Sequence, residues 1–193
     1  IVDQVDRLRR RRDTQLIGSG VTFRCLTSTI TMNLNVLLRT RGASWTISSA
    51  CASGGHALGQ AAGLIASGRQ ERVICGGAQE INWESMCSFD GLGAFSTRTD
   101  RPEAACRPFD KDRDGLVPSG GAAAVILERR DLAEGRGARI LGEISGYGFS
   151  SDGGHLSLPT GDGLARAMRM ALRDARTAPE NIDYICAHAP STP

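Results

Sequence analysis

Residues 45–68 read Trp45-Thr46-Ile47-Ser48-Ser49-Ala50-Cys51, then Ala52-Ser53-Gly54-Gly55-His56-Ala57-Leu58-Gly59-Gln60, then Ala61-Ala62-Gly63-Leu64-Ile65-Ala66-Ser67-Gly68. Trp45 to Ser48 has the β-branched and aromatic character of a short strand. From Cys51 the residues turn small and apolar, and the spacing predicts a helix that Gly68 stops and whose end Arg69 complements. That helix carries no charge on any face, so it is expected to be buried all round. A strand that passes straight into a buried helix is the signature of layered α/β architecture.

Working outward, the same alternation recurs. A helix is expected from Leu26 to about Leu38, carried by Ile30, Met32, Leu34, Leu37 and Leu38 and ended by Gly42. Arg72 to Cys75 reads as a strand running into Gly76-Gly77, and Ala122 to Leu127 as an apolar strand covered on both faces. Between them, residues 82–115 are rich in loop formers. Residues 129–135 form a short helix or turn. Strands are expected at Ile140–Tyr147 and Ile182–Cys186, and an amphipathic helix at Gly161–Thr177, broken by Pro179.

Composition narrows the function classes. The 193 residues carry a net charge of +2 and are 40% hydrophobic, which gives no global reason to expect nucleic acid. No stretch reads as a membrane span or a signal peptide. The six cysteines (Cys25, Cys51, Cys75, Cys87, Cys106, Cys186) form neither a disulfide framework nor a zinc spacing, so reduced thiols in a cytoplasmic setting and no metal are expected. The Gly76-Gly77 pair lacks a dinucleotide or phosphate-loop pattern around it. The chain opens without methionine in an arginine-dense stretch and stops at Pro193, directly after a promising motif, which reads as a piece of something longer.

Two residues stand where chemistry concentrates. Cys51 sits at the strand-to-helix turn, where unpaired N–H groups and the helix dipole stabilise a thiolate and can receive an oxyanion. The alternative is a small core residue without chemistry. His188 ends an expected strand, at the edge of an α/β sheet where ligands collect, although a hydrogen-bonded structural histidine fits the local context too. Together they suggest acyl transfer through a thioester. His56 reads as a packed helix residue and His155 as an exposed loop residue. The arginines at 7 and 9–12 read as a solvated face or as a dock for an acidic partner.

The segments ISSACASGGHALG (47–59), Gly76-Gly77, NWESMCSFDGLGAFSTR (82–98), RPFDKDRDGLVPSGGAAAVILE (107–128), EISGYGFSSDG (143–153) and AHAPSTP (187–193) occur in one order and spacing. Over residues 26–193 they resemble the β-ketoacyl-acyl-carrier-protein synthases, the elongating condensing enzymes of fatty acid synthesis, with the bacterial type I enzymes nearest. The resemblance implies a thiolase-like α/β fold of five layers, αβαβα, here incomplete at both ends. Residues 1–135 would be the latter part of the N-terminal half, and residues 136–193 the start of the C-terminal half.

It also implies roles. Cys51 matches the acylated nucleophile, and its N–H one oxyanion-hole donor. His188 matches the first of two catalytic histidines, and Phe89 a residue lining the acyl pocket. Thr192 matches a threonine that bonds the phosphopantetheine arm, and Arg12 falls near the patch that docks acyl carrier protein. The implied enzyme is an acyltransferase needing no cofactor beyond the phosphopantetheine of its carrier protein, and is a homodimer. Ala189 and Pro190 depart from the family's Gly-Thr, which removes one hydroxyl and one N–H. The second histidine, the lysine and a Gly-Phe-Gly-Gly loop are expected beyond Pro193, so the chain alone is not expected to complete the site. A polyketide-type ketosynthase, a cysteine hydrolase and a non-catalytic homologue are the other readings.

Overall fold

The computed structural model describes residues 2–18, 20, 23, 24, 26–155 and 158–193, in two compact units, 1–53 and 54–193. Cys25 lies outside the described residues.

The first unit begins with helix α1, Val2–Arg11, with Asp3 in its first turn and Arg9, Arg10 and Arg11 in its last. The low hydrophobic content of this stretch makes it read in the sequence only as a basic segment. The helix signal lies in the charges, which follow the macrodipole, and in the ion pair of Arg9 with Asp6 at 3.6 Å. Asp13 then caps a 3-10 turn, Thr14–Ile17, by accepting the Gln15 N–H at 2.9 Å. Helix α2, Thr29–Leu38, falls inside the expected range and ends where Arg39 turns left-handed at φ 51°. Its Val36 and Leu37 are 81% and 76% exposed, so the apolar stripe is uncovered.

Helix α3, Ser53–Ala66, leads into the second unit. Its C-terminus follows the expected signal: Gly68 adopts φ 71°, and the Arg69 N–H returns to the Leu64 carbonyl at 3.0 Å. Burial all round is not observed. Gly59 and Ala61 are its buried positions, and the Tyr147 ring lies where a Cβ on Gly59 would stand.

Strand β1, Arg72–Gln79, pairs antiparallel with β2, Gly121–Glu128, from Arg72 opposite Glu128 to Gln79 opposite Gly121. The apolar run of β2 is not covered on both faces. Positions 121–126 are exposed, and β1 is its only ladder partner among the described residues. The segments expected as strands at 45–48, 140–147 and 182–186 lie outside any ladder. A strand needs a partner edge, and the apolar alternation in these segments records a face without supplying one. Instead, Gly146 and Gly148 lie against the backbone of helix α6 (Asp162–Asp174), near the carbonyls of Ala171 and Ala167, too close for a Cβ at either position.

Helix α4, Trp83–Gly91, arises in the stretch read as loop. Its start signal is Asn82 followed by Glu84 in the first turn. Helix α5, Arg130–Gly135, matches expectation. Helix α6 opens at Gly161 with φ 82°, and the Asp152 carboxylate accepts the N–H groups of Gly163 (2.6 Å) and Thr160 (2.7 Å), capping it from nine residues upstream of that opening glycine. No described helix is long and apolar enough to cross a membrane.

Candidate active site

Cys51 occupies a 3-10 turn, Ala50–Ala52, that runs directly into α3. The turn is tight for a specific reason. Ala50 is left-handed at φ 46°, a region that costs an L-residue about 1 kcal/mol. It is held there by Ser53, whose hydroxyl accepts the Ser49 N–H at 2.7 Å and donates to the Ala50 carbonyl at 2.7 Å. The Ala52 N–H closes on the Ser49 carbonyl at 3.0 Å. The thiol is free and exposed. An exposed thiol on a strained turn at a helix start has the access that a nucleophile needs.

His188 is exposed and belongs to the second unit. The residues after it fold tightly. Ala189 and Ser191 both have positive φ, 30° and 75°, although neither is glycine. Ser191 is 2% exposed; its Oγ accepts the Arg107 N–H at 3.1 Å, and its carbonyl accepts the Gly115 N–H at 3.0 Å. Arg113 Nε donates to the Thr192 carbonyl at 2.8 Å. Phe109, Arg113, Ala189, Pro190, Ser191 and Thr192 line a half-open pocket of about 370 Å³, within the size range of small-ligand sites.

Phe89 lies on α4 and stacks on Phe95, centroids 6.3 Å apart and planes at 20°. Behind Phe95, the Asp114 carboxylate accepts Ser96 Oγ (2.8 Å), the Thr97 N–H (3.1 Å) and Arg107 Nη2 (2.9 Å). The Ser96 bond, with the Thr97 N–H and the Arg107 charge, holds this carboxyl below the usual range. Arg107, Asp114 and Ser191 have no sequence signature as supports, since ion pairs across a loop leave no periodic signal. Arg12 is exposed at the end of α1, in a left-handed conformation at φ 49°. Thus Thr192 shares a pocket wall with the segment that His188 opens, and Phe89 lies in the same unit. Cys51 and Arg12 belong to the other.

His56 is bonded through Nδ1 to the Tyr147 hydroxyl, with the rings edge to face, so the packed reading of this histidine holds. His155 is exposed, as expected for its loop, and accepts the Leu158 N–H at 3.2 Å.

Residues 3–133 match the β-ketoacyl synthase N-terminal domain family, and residues 141–193 its C-terminal domain family. The chain belongs to the β-ketoacyl synthases. It is 40% identical to 3-oxoacyl-[acyl-carrier-protein] synthase 1 of Escherichia coli K12 over 97% of its length and 46% of that enzyme's. A β-ketoacyl synthase from Burkholderia phymatum superposes over the whole chain, and 48% of its own, with a TM-score of 0.93 and 38% identity. A ketosynthase bound to its hexaketide in complex with a type II polyketide acyl carrier protein (AntDE:AntF) superposes over 92% of the chain, and 45% of its own, with a TM-score of 0.86 and 34% identity. The chain spans about half the length of the curated relatives it matches. The α/β, thiolase-like fold is therefore that of the ketosynthases.

Proposed function

We propose that this chain carries the nucleophile of a β-ketoacyl-acyl-carrier-protein synthase of fatty acid synthesis, an acyltransferase. Two observations joined at one residue carry the reading: the strained turn that presents the Cys51 thiol, in a chain 40% identical to 3-oxoacyl-carrier-protein synthases. The Cys51 thiolate attacks the carbonyl of an acyl-pantetheine thioester, and the pantetheine thiolate leaves. A malonyl carrier protein then loses carbon dioxide, and the electron pair of the broken C–C bond becomes an enolate. The enolate carbon attacks the acyl-Cys51 carbonyl, and Cys51 leaves as thiolate. His188 stabilises enolate charge at the malonyl thioester oxygen, a contribution on the order of 3 kcal/mol. Phe89 lines the acyl pocket, Thr192 bonds the pantetheine arm, and Arg12 with the end of α1 meets an acidic carrier protein.

The remaining parts of the reading follow from family resemblance. Residues 1–135 and 136–193 belong to the two thiolase-like halves, a division supported by where the two family matches end and begin. The enzyme is a cytoplasmic homodimer, and the phosphopantetheine of the carrier protein is the only prosthetic group required.

The test is transfer of a labelled acyl group from carrier protein to the intact enzyme, followed by malonyl-dependent condensation. Cys51→Ala is expected to abolish labelling, and wild-type labelling in that variant overturns the reading. One feature favours a second reading, a polyketide-type ketosynthase: the likeness to a ketosynthase solved with a type II polyketide acyl carrier protein. Repeated condensation on one chain without intervening reduction would select it.

A further inference from the structure

Three bonded groups join two parts of the candidate site that the sequence keeps far apart. On one side, Phe95 stacks on Phe89 and forms a parallel bridge with Leu116. The Ser96 N–H reaches the Leu116 carbonyl at 3.0 Å, and the Leu116 N–H the Ala94 carbonyl at 2.9 Å. On the other side, Ser191 holds the segment that follows His188. Between them stand Arg107 and Asp114. Arg107 donates from Nη2 to Asp114, from Nη1 to the Ala104 carbonyl and from Nε to the Asp112 carbonyl, each at 2.9 Å. Its own N–H goes to Ser191 Oγ. Asp114 returns the connection to Ser96 and Thr97. Gly115, next in the chain, donates its N–H to the Ser191 carbonyl, and its Cα hydrogen faces the Phe95 carbonyl group with no room for a side chain.

We propose that Ser191 and the Arg107–Asp114 pair form one positioning node that ties the acyl-pocket wall at Phe95 and Phe89 to the His188–Thr192 segment. Ser191 is the largest fully buried side chain among the described residues, and both its polar ends are committed, one to each side of the ion pair. A buried serine that bonds two neighbouring backbone segments holds them in a single register, and the loss of one bond is felt by the other. The substrate consequence rests on the roles proposed above for Phe89 and His188. Acyl-chain preference and the malonyl step then depend on a common support, so a change at Ser191 alters both without touching either substrate.

The test uses the intact enzyme with Ser191→Ala and, separately, Asp114→Asn. Amide hydrogen exchange is read at Arg107 and Gly115, which Ser191 touches, and at Ser96 and Thr97, which it does not. Ser191→Ala is expected to speed exchange about tenfold at both pairs. It is also expected to shift the ratio of kcat/KM between long and short acyl donors by about threefold or more. Faster exchange confined to Arg107 and Gly115 overturns the node. Coupled exchange with an unchanged acyl ratio in active enzyme overturns its role in specificity. If Asp114→Asn does not fold, Ser191→Ala alone decides. If wild-type enzyme never acylates Cys51, the proposed function fails, while the exchange result still decides whether the two segments act as one.

Discussion

The Ser53 hydroxyl donates to the carbonyl of Ala50, 2.7 Å away, and so closes the turn that holds Cys51. The same oxygen accepts the Ser49 N–H, which makes Ser53 the clasp of a turn whose Ala50 is left-handed. Ser53→Ala removes both bonds and is expected to cost about 1–2 kcal/mol of stability by thermal melting. Looser presentation of the thiol should slow single-turnover acylation of Cys51 by about tenfold. Ser53→Thr keeps the hydroxyl and should restore most of the rate; a Thr variant as slow as Ala would assign the effect to packing.

Ala189 holds φ 30° in the segment after His188. Glycine adopts that region freely, so Ala189→Gly should raise stability by about 0.5–1 kcal/mol. Pro190→Thr, which supplies a hydroxyl beside Thr192 at the pocket wall, should lower KM for malonyl carrier protein about threefold or more with kcat little changed. Steady-state kinetics with purified carrier protein separates the two effects.

The thiols should differ sharply toward iodoacetamide. Cys75 lies on β1, 8% exposed, and burial pushes its thiol pKa up. Cys51 is exposed. Peptide mapping after brief alkylation at pH 8 is expected to find Cys51 modified at least about tenfold faster than Cys75. Prior acylation from carrier protein should protect Cys51 alone.

Acid should weaken two specific places. Glu128 is paired with Arg136 at 2.7 Å and with its cross-strand neighbour Arg72, and these bonds push its carboxyl down to about 2. Asp152 is likewise held low, first by the Thr160 N–H and then by that of Gly163. A depressed carboxylate contributes stability above its unfolded value, and that contribution is lost as pH falls through the folded one. The β1–β2 ladder should therefore lose stability between about pH 4.5 and pH 2. Glu128→Gln should flatten that acid limb in a pH series of melting curves, and Asp152→Asn should do the same for exchange protection at Gly163.

What could be read in the sequence followed period and punctuation. The helices at 29–38, 53–66 and 162–174 emerged from apolar spacing and from Gly68 and Gly161. Strand β1 announced itself through Val73, Ile74 and Cys75. The pairing of strands did not emerge, since Ile140–Tyr147 and Ile182–Cys186 have a strand's composition but no ladder partner among the described residues. Helix α1 was hidden by its arginine content, and α4 by apolar residues that mark out no single helical face. At the candidate site, Cys51 and His188 were legible because chemistry selects their types. Ser191, Arg107 and Asp114 were not, since their importance lies in contacts between loops, the Ser191–Arg107 bond spanning 84 residues of chain.

The Tyr147 ring lying across Gly59 has a consequence for how this sequence can vary over time. Every single-nucleotide change in a glycine codon that yields another amino acid adds at least a methyl group. None of these neighbours fits beneath the ring without moving it away from His56, to which its hydroxyl is bonded. A single step away from glycine at position 59 therefore displaces the Tyr147 ring from His56, and a smaller residue at position 147 is the change that would relieve the clash.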